Sequence, residues 1–354
     1  MPAQILRVPM PTPPSERDLQ AQPLGSPSTP GKASQSFFAS LKPSAQQQQP
    51  HRWTLPTAFR QQYGTAQDNL GAGGSGFIFS AVRRSDQKEV AVKLLPVDCV
   101  PITSWVKDPD YGCIPREVAT LKNIHHSAVV AFIDLFQDEQ ILLIVMELFG
   151  SSWRTSQLKN TDPNPLPLAT RPARSRAMDL FELLEVKQLT EEEVRTIFIQ
   201  LIECVHYLLS QLSLVHGDIK DENILIDWSG PKPVAKFIDF GGAVIVAPGH
   251  LCAQGSFRGT IEFASPEIII GQSYDPEKSE SWSLGVLLYS MINRGCGPFA
   301  TRQATVASPY RPLNCSSLCS HLISRLLDKN PATRATIQEV LQHPWLTKST
   351  RKAL

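Results

Sequence analysis

Short apolar runs at Phe77 to Val82 and Glu89 to Leu95 flank the polar stretch Arg84 to Gln87, a pattern that predicts two strands joined by a turn. Arg116 to Leu121 reads as a helix, and Ala131 to Phe136 and Gln140 to Met146 read as two more strands. From Thr190 onward the spacing changes. Val194, Ile197, Phe198, Leu201, Ile202, Val205, Leu208 and Leu209 recur at helical intervals and predict a long core-facing helix ending just before Leu214. Thr190 and Glu193 match a capping box at its start, with Leu189 and Val194 spaced as a hydrophobic staple. Further helices fit Glu280 to Asn293, Cys315 to Leu327 and Ile337 to Leu341. A small sheet with one helix, followed by a mostly helical part, is an α+β fold, with ordered patterning beginning near Tyr63.

Two stretches break the pattern. Residues 1–56 are rich in Pro, Ser and Gln, including Gln46 to Gln49, and read as a disordered tail that cannot bury enough apolar surface to offset its conformational entropy. Residues 153–176 carry Pro163, Pro165, Pro167 and Pro172 among basic residues and read as an exposed disordered insertion, either a basic recognition loop or a gene-model artefact. The expected boundaries are a tail to 56, a domain over 57–347 divided at 146/147, and a C-terminal tail over 348–354.

Composition narrows the classes. With 354 residues and 42% apolar content the chain can build a sizeable core. Its net charge of +1 offers no footprint for a nucleic acid or an anionic membrane. The start, Met1 to Arg7, lacks a signal-peptide run, and no later stretch is apolar enough to span a bilayer. The seven cysteines are scattered, and Cys315 and Cys319 lack companions for a zinc site, so free thiols in a reducing cytoplasm or nucleus are expected.

Four pieces in order carry the chemistry: the loop Gly71, Ala72, Gly73, Gly74, Ser75, Gly76; then Lys93 in Val90 to Lys93; then His216 to Asn223; then Asp239, Phe240, Gly241. Taken singly each has a plain explanation, the loop as a hairpin turn and the acids as a solvated surface. Glycines do let backbone N–H groups approach a phosphate. An ammonium placed among apolar neighbours, as at Lys93, needs a partner to offset desolvation, and Glu117 on the following helix is the candidate, although alone it reads as a surface charge.

Together these pieces resemble a eukaryotic protein kinase domain over about Tyr63 to Trp345, and Lys220 places the resemblance in the serine/threonine class. The resemblance implies a bilobal fold, ATP as co-substrate, Mg²⁺ as cofactor, protein substrates and a monomer. It implies Asp218 as catalytic base, Lys220 at the γ-phosphate, Asn223 and Asp239 as Mg²⁺ ligands, and the Lys93–Glu117 pair at the α- and β-phosphates. It places Met146 at the gatekeeper position, backbone groups of Glu147 and Phe149 at adenine, and Ile78, Ala91 and Leu225 around the ring. Leu121, Phe132, His216 and Phe240 match an apolar spine between lobes. Ordinary packing explains each of these apolar residues equally well. Gly259, Thr260 and Ser265 to Glu267 match the end of an activation segment, with Arg334 the expected partner of Glu267 and Thr260 a substrate-positioning residue.

Ser104 to Gly112, Asp221 to Ile224 and Gly259 to Phe263, with His343, Pro344 and Trp345, look most like the catalytic domain of PAS-domain kinases, then the PIM kinases, within the calcium/calmodulin-dependent-kinase-like group. The N-terminal tail is too short for a PAS sensor, so only the catalytic part is matched. Gly217 stands where many relatives carry an Arg that pairs with a phosphorylated loop, implying activity without that phosphorylation. Glu280 replaces the usual Asp supporting the catalytic loop. Asp179 and Glu222 align with carboxylates that receive a basic residue about three positions before the target, and Asp179 also falls in the expected nucleotide pocket. His216 to Asp218 also fits aminoglycoside-type phosphotransferases, but the Gly259 to Glu267 segment argues for a protein substrate. A pseudokinase scaffold is the alternative from a different class.

Overall fold

The structure, a computed structural model, describes residues 54–73, 76–150, 177–247, 251–253 and 255–347. Residues 1–53 of the tail read over 1–56, the loop residues Gly74 and Ser75, the insertion read over 153–176 and the tail read over 348–354 lie outside them.

The upper part is a five-stranded antiparallel sheet of β1 (Tyr63–Gly73), β2 (Gly76–Arg83), β3 (Glu89–Pro96), β6 (Phe132–Gln137) and β7 (Ile141–Glu147), in the order β1-β2-β3-β7-β6. A separate hairpin, β4 (Trp105–Asp108) and β5 (Gly112–Pro115), leads directly into helix α2 (Arg116–Asn123). The run Ile141 to Val145 is continuously apolar because both faces of the sheet are covered. Ile141, Leu143 and Val145 pack on one side with Phe59 and Phe79, while Leu142 and Ile144 pack on the other with Ile114 and Val118. Phe59 belongs to a short helix, α1 (Thr57–Gln62), that the apolar pattern did not announce.

The lower part is mostly helical. β8 (Ala177–Asp179) leads into α3 (Leu180–Val186), and α4 (Glu191–Leu212) begins at the expected capping box, with both of its reciprocal bonds made between Thr190 and Glu193. Short strands β9 (Leu214–Val215), β10 (Ile224–Asp227), β11 (Val234–Phe237) and β12 (Val244–Ile245) frame the loop at 216–223. Then come α5 (Pro266–Ile269), α6 (Pro276–Ile292), α7 (Arg302–Ala307), α8 (Ser317–Leu326), α9 (Ile337–Leu341) and α10 (Pro344–Thr347). Helix α6 starts four residues before the expected Glu280, where Asp275 caps the N–H groups of Glu277 and Lys278 ahead of Pro276 at the first turn. It is buried nearly all round, so its first turn leaves no periodic signal. No helix among the described residues is long and apolar enough to cross a membrane.

One ion pair ties this part together. Arg334 is fully buried and donates to both carboxylate oxygens of Glu267, at 2.7 and 2.9 Å, with further bonds to the backbone oxygens of Asp328 and Lys278 at 2.8 Å each. Burial alone would raise the Glu267 carboxyl, but the guanidinium outweighs it and holds it below the usual range. Removing one partner strands a buried charge, so Arg334→Met is expected to cost about 3–5 kcal/mol of unfolding free energy. Arg334→Met combined with Glu267→Gln is expected to cost less than the single change. Urea denaturation of both variants checks this, and a more stable single variant would contradict it.

Candidate active site

Lys93 lies mid-strand on β3, between Ile78 of β2 and Ile144 of β7. Its side chain is 8% exposed. Its ammonium lies 2.6 Å from Glu117 Oε1 on α2 and 3.4 Å from Asp239 Oδ2 beyond β11. Burial alone would lower the Lys93 ammonium; the carboxylates outweigh that and hold it above its ordinary value. Asp239 is conversely pushed up by burial and pulled down further by Lys93, ending below the carboxylate range. Its backbone is left-handed (φ 63°), and its Oδ1 accepts the Gly241 N–H at 3.0 Å, so its carboxylate is fixed from two directions.

The loop at 216–223 assembles around Asp218. Asp218 Oδ1 accepts the Thr260 backbone N–H at 2.7 Å, and Oδ2 accepts Asn223 Nδ2 at 3.0 Å. Asn223 Nδ2 also donates to the Asp218 backbone oxygen at 2.9 Å, which leaves the amide oxygen as the group available to a cation. Lys220 Nζ reaches Thr260 Oγ1 at 3.0 Å, Glu222 Oε2 at 3.0 Å and Asp218 Oδ2 at 3.5 Å. Asn223 and Asp239 therefore offer hard oxygen donors to a cation that takes most of its shell from water or ligand, the habit of Mg²⁺.

What holds this loop is buried. Glu280 accepts the backbone N–H groups of His216 (2.7 Å) and Gly217 (3.0 Å). Burial pushes its carboxyl up to about 7 against those two bonds. His216 is fully buried, and burial takes its imidazole down to about 4, so the ring is neutral. It packs 5.0 Å from Phe237 and 4.8 Å from Phe240. Leu121 of α2 belongs to the same large apolar cluster as Phe237 and Phe240, and Phe132 of β6 packs against it.

Of the residues expected around the nucleotide, Ala91 pairs with Met146 across β3 and β7, and Leu225 pairs with Asp179 across β10 and β8. Gly71, Ala72 and Gly73 pair with Ile78, Phe77 and Gly76 in the β1–β2 hairpin. Glu147 donates its backbone N–H to Ala131 O at 2.8 Å, and its carboxylate accepts Lys236 Nζ at 2.7 and 2.8 Å and the Ala131 N–H at 3.1 Å. Lys236, which the sequence reading missed, also lies 5.2 Å from the Phe149 ring. Asp179 caps α3 through the Glu182 N–H at 2.7 Å. Its carboxyl is raised by burial and by Glu182, Glu222 and Glu185. Asp221 is pushed up to about 6, mainly by burial and further by Glu222 and Asp179.

Gly217 takes φ +76°, and a Cβ there would overlap the carbonyl oxygen of Gly242, while a Cβ on Gly259 would overlap the carbonyl oxygen of Gly217. Backbone thus lies directly on backbone where the loop, the segment after Asp239 and the segment before Thr260 meet. Gly112 shares the left-handed geometry (φ +78°) with open space around it. Gly112→Ala is expected to cost about 1–2 kcal/mol of stability, the strain of a left-handed L-residue alone. Gly217→Ala should cost distinctly more, because the crowding adds to the strain. Chemical denaturation of the pair checks this, and equal losses would contradict it.

The family model described as "Protein kinase domain" matches residues 65–346. The PAS domain-containing serine/threonine-protein kinase of Mus musculus is 34% identical over 283 residues, covering 79% of this chain and 18% of that protein. Serine/threonine-protein kinase ppk6 of Schizosaccharomyces pombe is 31% identical, covering 78% of this chain and 32% of its own. Serine/threonine-protein kinase pim-2 of Danio rerio is 32% identical, covering 82% of this chain and 86% of its own. The chain thus spans less than a third of the first two relatives and most of the last.

Proposed function

The chain belongs to the protein kinase family, and from that membership and the site's geometry we propose that it transfers the γ-phosphate of Mg-ATP to Ser and Thr hydroxyls of proteins. The observation that carries this reading is that Lys93 and Glu117 of the upper part meet Asp239 of the lower part, beside the loop in which Asp218, Lys220 and Asn223 hold one another. Every member has a fixed partner, so little reorganisation is needed as charge moves.

In this reading Glu117 holds Lys93 against the α- and β-phosphates, and the backbone of the loop between β1 and β2 covers them. Asn223 and Asp239 would hold Mg²⁺, which when bound would supply neutralisation of the phosphate charge. Asp218, aimed by Asn223 and the Thr260 N–H, accepts the proton of the attacking hydroxyl as its oxygen bonds to phosphorus and the bond to the β-phosphate oxygen breaks, releasing ADP. Lys220 stabilises charge on the moving phosphoryl group and through Thr260 ties it to the substrate side. Neutral His216 and the Glu280 carboxyl group support the loop from behind.

Two finer features belong to the same proposal. Gly217 supplies no guanidinium for a loop phosphate, and Asp218 is already held by the Thr260 N–H, so turnover needs no phosphorylation of the activation segment. Asp179 and Glu222 interact electrostatically beside the loop and favour a basic residue about three positions before the target.

A Ser/Thr peptide library with Mg-ATP tests the activity. Turnover is expected from the wild type and from Ser256→Val, with at least about a hundredfold loss in Lys93→Met and Asp218→Asn. A wild type that binds Mg-ATP and turns over no peptide would favour the scaffold alternative. A positional scan is expected to show a basic preference upstream of the target that Asp179→Asn with Glu222→Gln weakens by about tenfold; a flat profile in the wild type would contradict it.

A further inference from the structure

The β4–β5 hairpin takes no part in the reading above, yet it makes a dense polar attachment to α2. At its turn, Asp108 Oδ1 accepts the backbone N–H groups of Asp110 (2.9 Å) and Tyr111 (3.1 Å), which fixes the direction of the carboxylate. Both oxygens of Asp108 receive Lys122 Nζ at 2.8 Å, and Asp110 Oδ2 lies 2.6 Å from the same ammonium. The Asp108 side chain is only 7% exposed, so this pair is less open to screening than an ordinary surface pair. Lys122 holds the Asp108 carboxyl below its usual range.

Tyr111 completes the attachment. Its hydroxyl donates to Asp134 Oδ1 on β6 at 3.0 Å, and its ring meets Phe132 edge-on at 5.9 Å. The Lys122 ammonium lies 5.2 Å from its centroid. Below it, Ile114 of β5 and Val118 of α2 are fully buried in one cluster. The hairpin is thereby anchored to the sheet on one side and to α2 on the other.

Helix α2 has eight residues, too few to be stable without tertiary contacts. Its position depends on what grips it. Lys122 sits in the last turn and Glu117 in the first, about 140° apart around the axis. The hairpin therefore holds a different flank from the one that faces Lys93.

We propose that Asp108, Asp110 and Tyr111 form a clamp on Lys122 that keeps α2 where Glu117 meets Lys93, making these four positioning residues for the nucleotide-binding pair. The clamp needs no phosphate, partner or ligand to close. It rests on the reading that the Lys93–Glu117 pair serves phosphoryl transfer.

A double-mutant cycle tests it. Lys122→Met keeps the stem and removes the charge; it is expected to lower kcat about tenfold with the peptide KM unchanged, and Lys122→Arg to retain most of the rate. In a Glu117→Gln background the same Lys122→Met change should cost less than about twofold, because the pair it serves is already gone. Equal losses in the two backgrounds, or an unchanged kcat in Lys122→Met, would overturn the clamp. Tyr111→Phe removes one hydroxyl and leaves the packing, and carries the same cycle should Lys122→Met fail to fold. Amide hydrogen exchange across Arg116–Asn123 reads the clamp without reference to turnover. Faster exchange in the clamp variants is expected, and unchanged exchange overturns it. A wild type without activity whose variants still show that faster exchange would sink the kinase reading and leave the clamp standing.

Discussion

A buried ammonium between two carboxylates organises this molecule. Lys93 sits on a central strand, where leaving its charge unpaired would cost several kcal/mol. The two groups that offset this come from opposite directions, Glu117 from α2 and Asp239 from the segment after β11. The sheet, the helix and the lower part are thus bound to one point in the cleft. In the proposed function, two of the three charges are also those a triphosphate and its metal would meet. The interaction that settles the fold locally and the one that prepares the chemistry are the same.

Around that point the protein uses buried polar groups where an apolar core would not specify geometry. Glu280 fixes two consecutive backbone N–H groups, neutral His216 is wedged between Phe237 and Phe240, and Gly217 and Gly259 allow three backbone segments to touch. Each device orients the stretch that carries Asp218. Farther out, Arg334 and Glu267 perform a comparable service for the segment after Thr260, and the β4–β5 hairpin for α2. Rigidity at the centre is thereby inherited from contacts well outside it.

Periodic elements were legible in the sequence. The strands around Lys93 and the long helix from Glu191 follow their apolar spacing, and Thr190 with Glu193 marks the helix start by local bonds alone. Helix α1 was not legible, because among its six residues Phe59 alone is buried. The start of α6 was missed because a helix buried all round has no polar face to set its period. In the site, Lys93 announced the need for a partner through its apolar surroundings. The pairing of Lys236 with Glu147 gave no such warning, since 89 residues separate them and no local pattern records the contact. The left-handed turn at Gly217 was likewise invisible as a close approach; the residue read only as a missing guanidinium.

The most direct measurement is calorimetric titration of ATP into the purified, folded protein with Mg²⁺ present and again with the metal chelated. Saturable binding that weakens on chelation, and that Lys93→Met diminishes, is what this account predicts. A folded protein with no affinity for the nucleotide in either condition would contradict it.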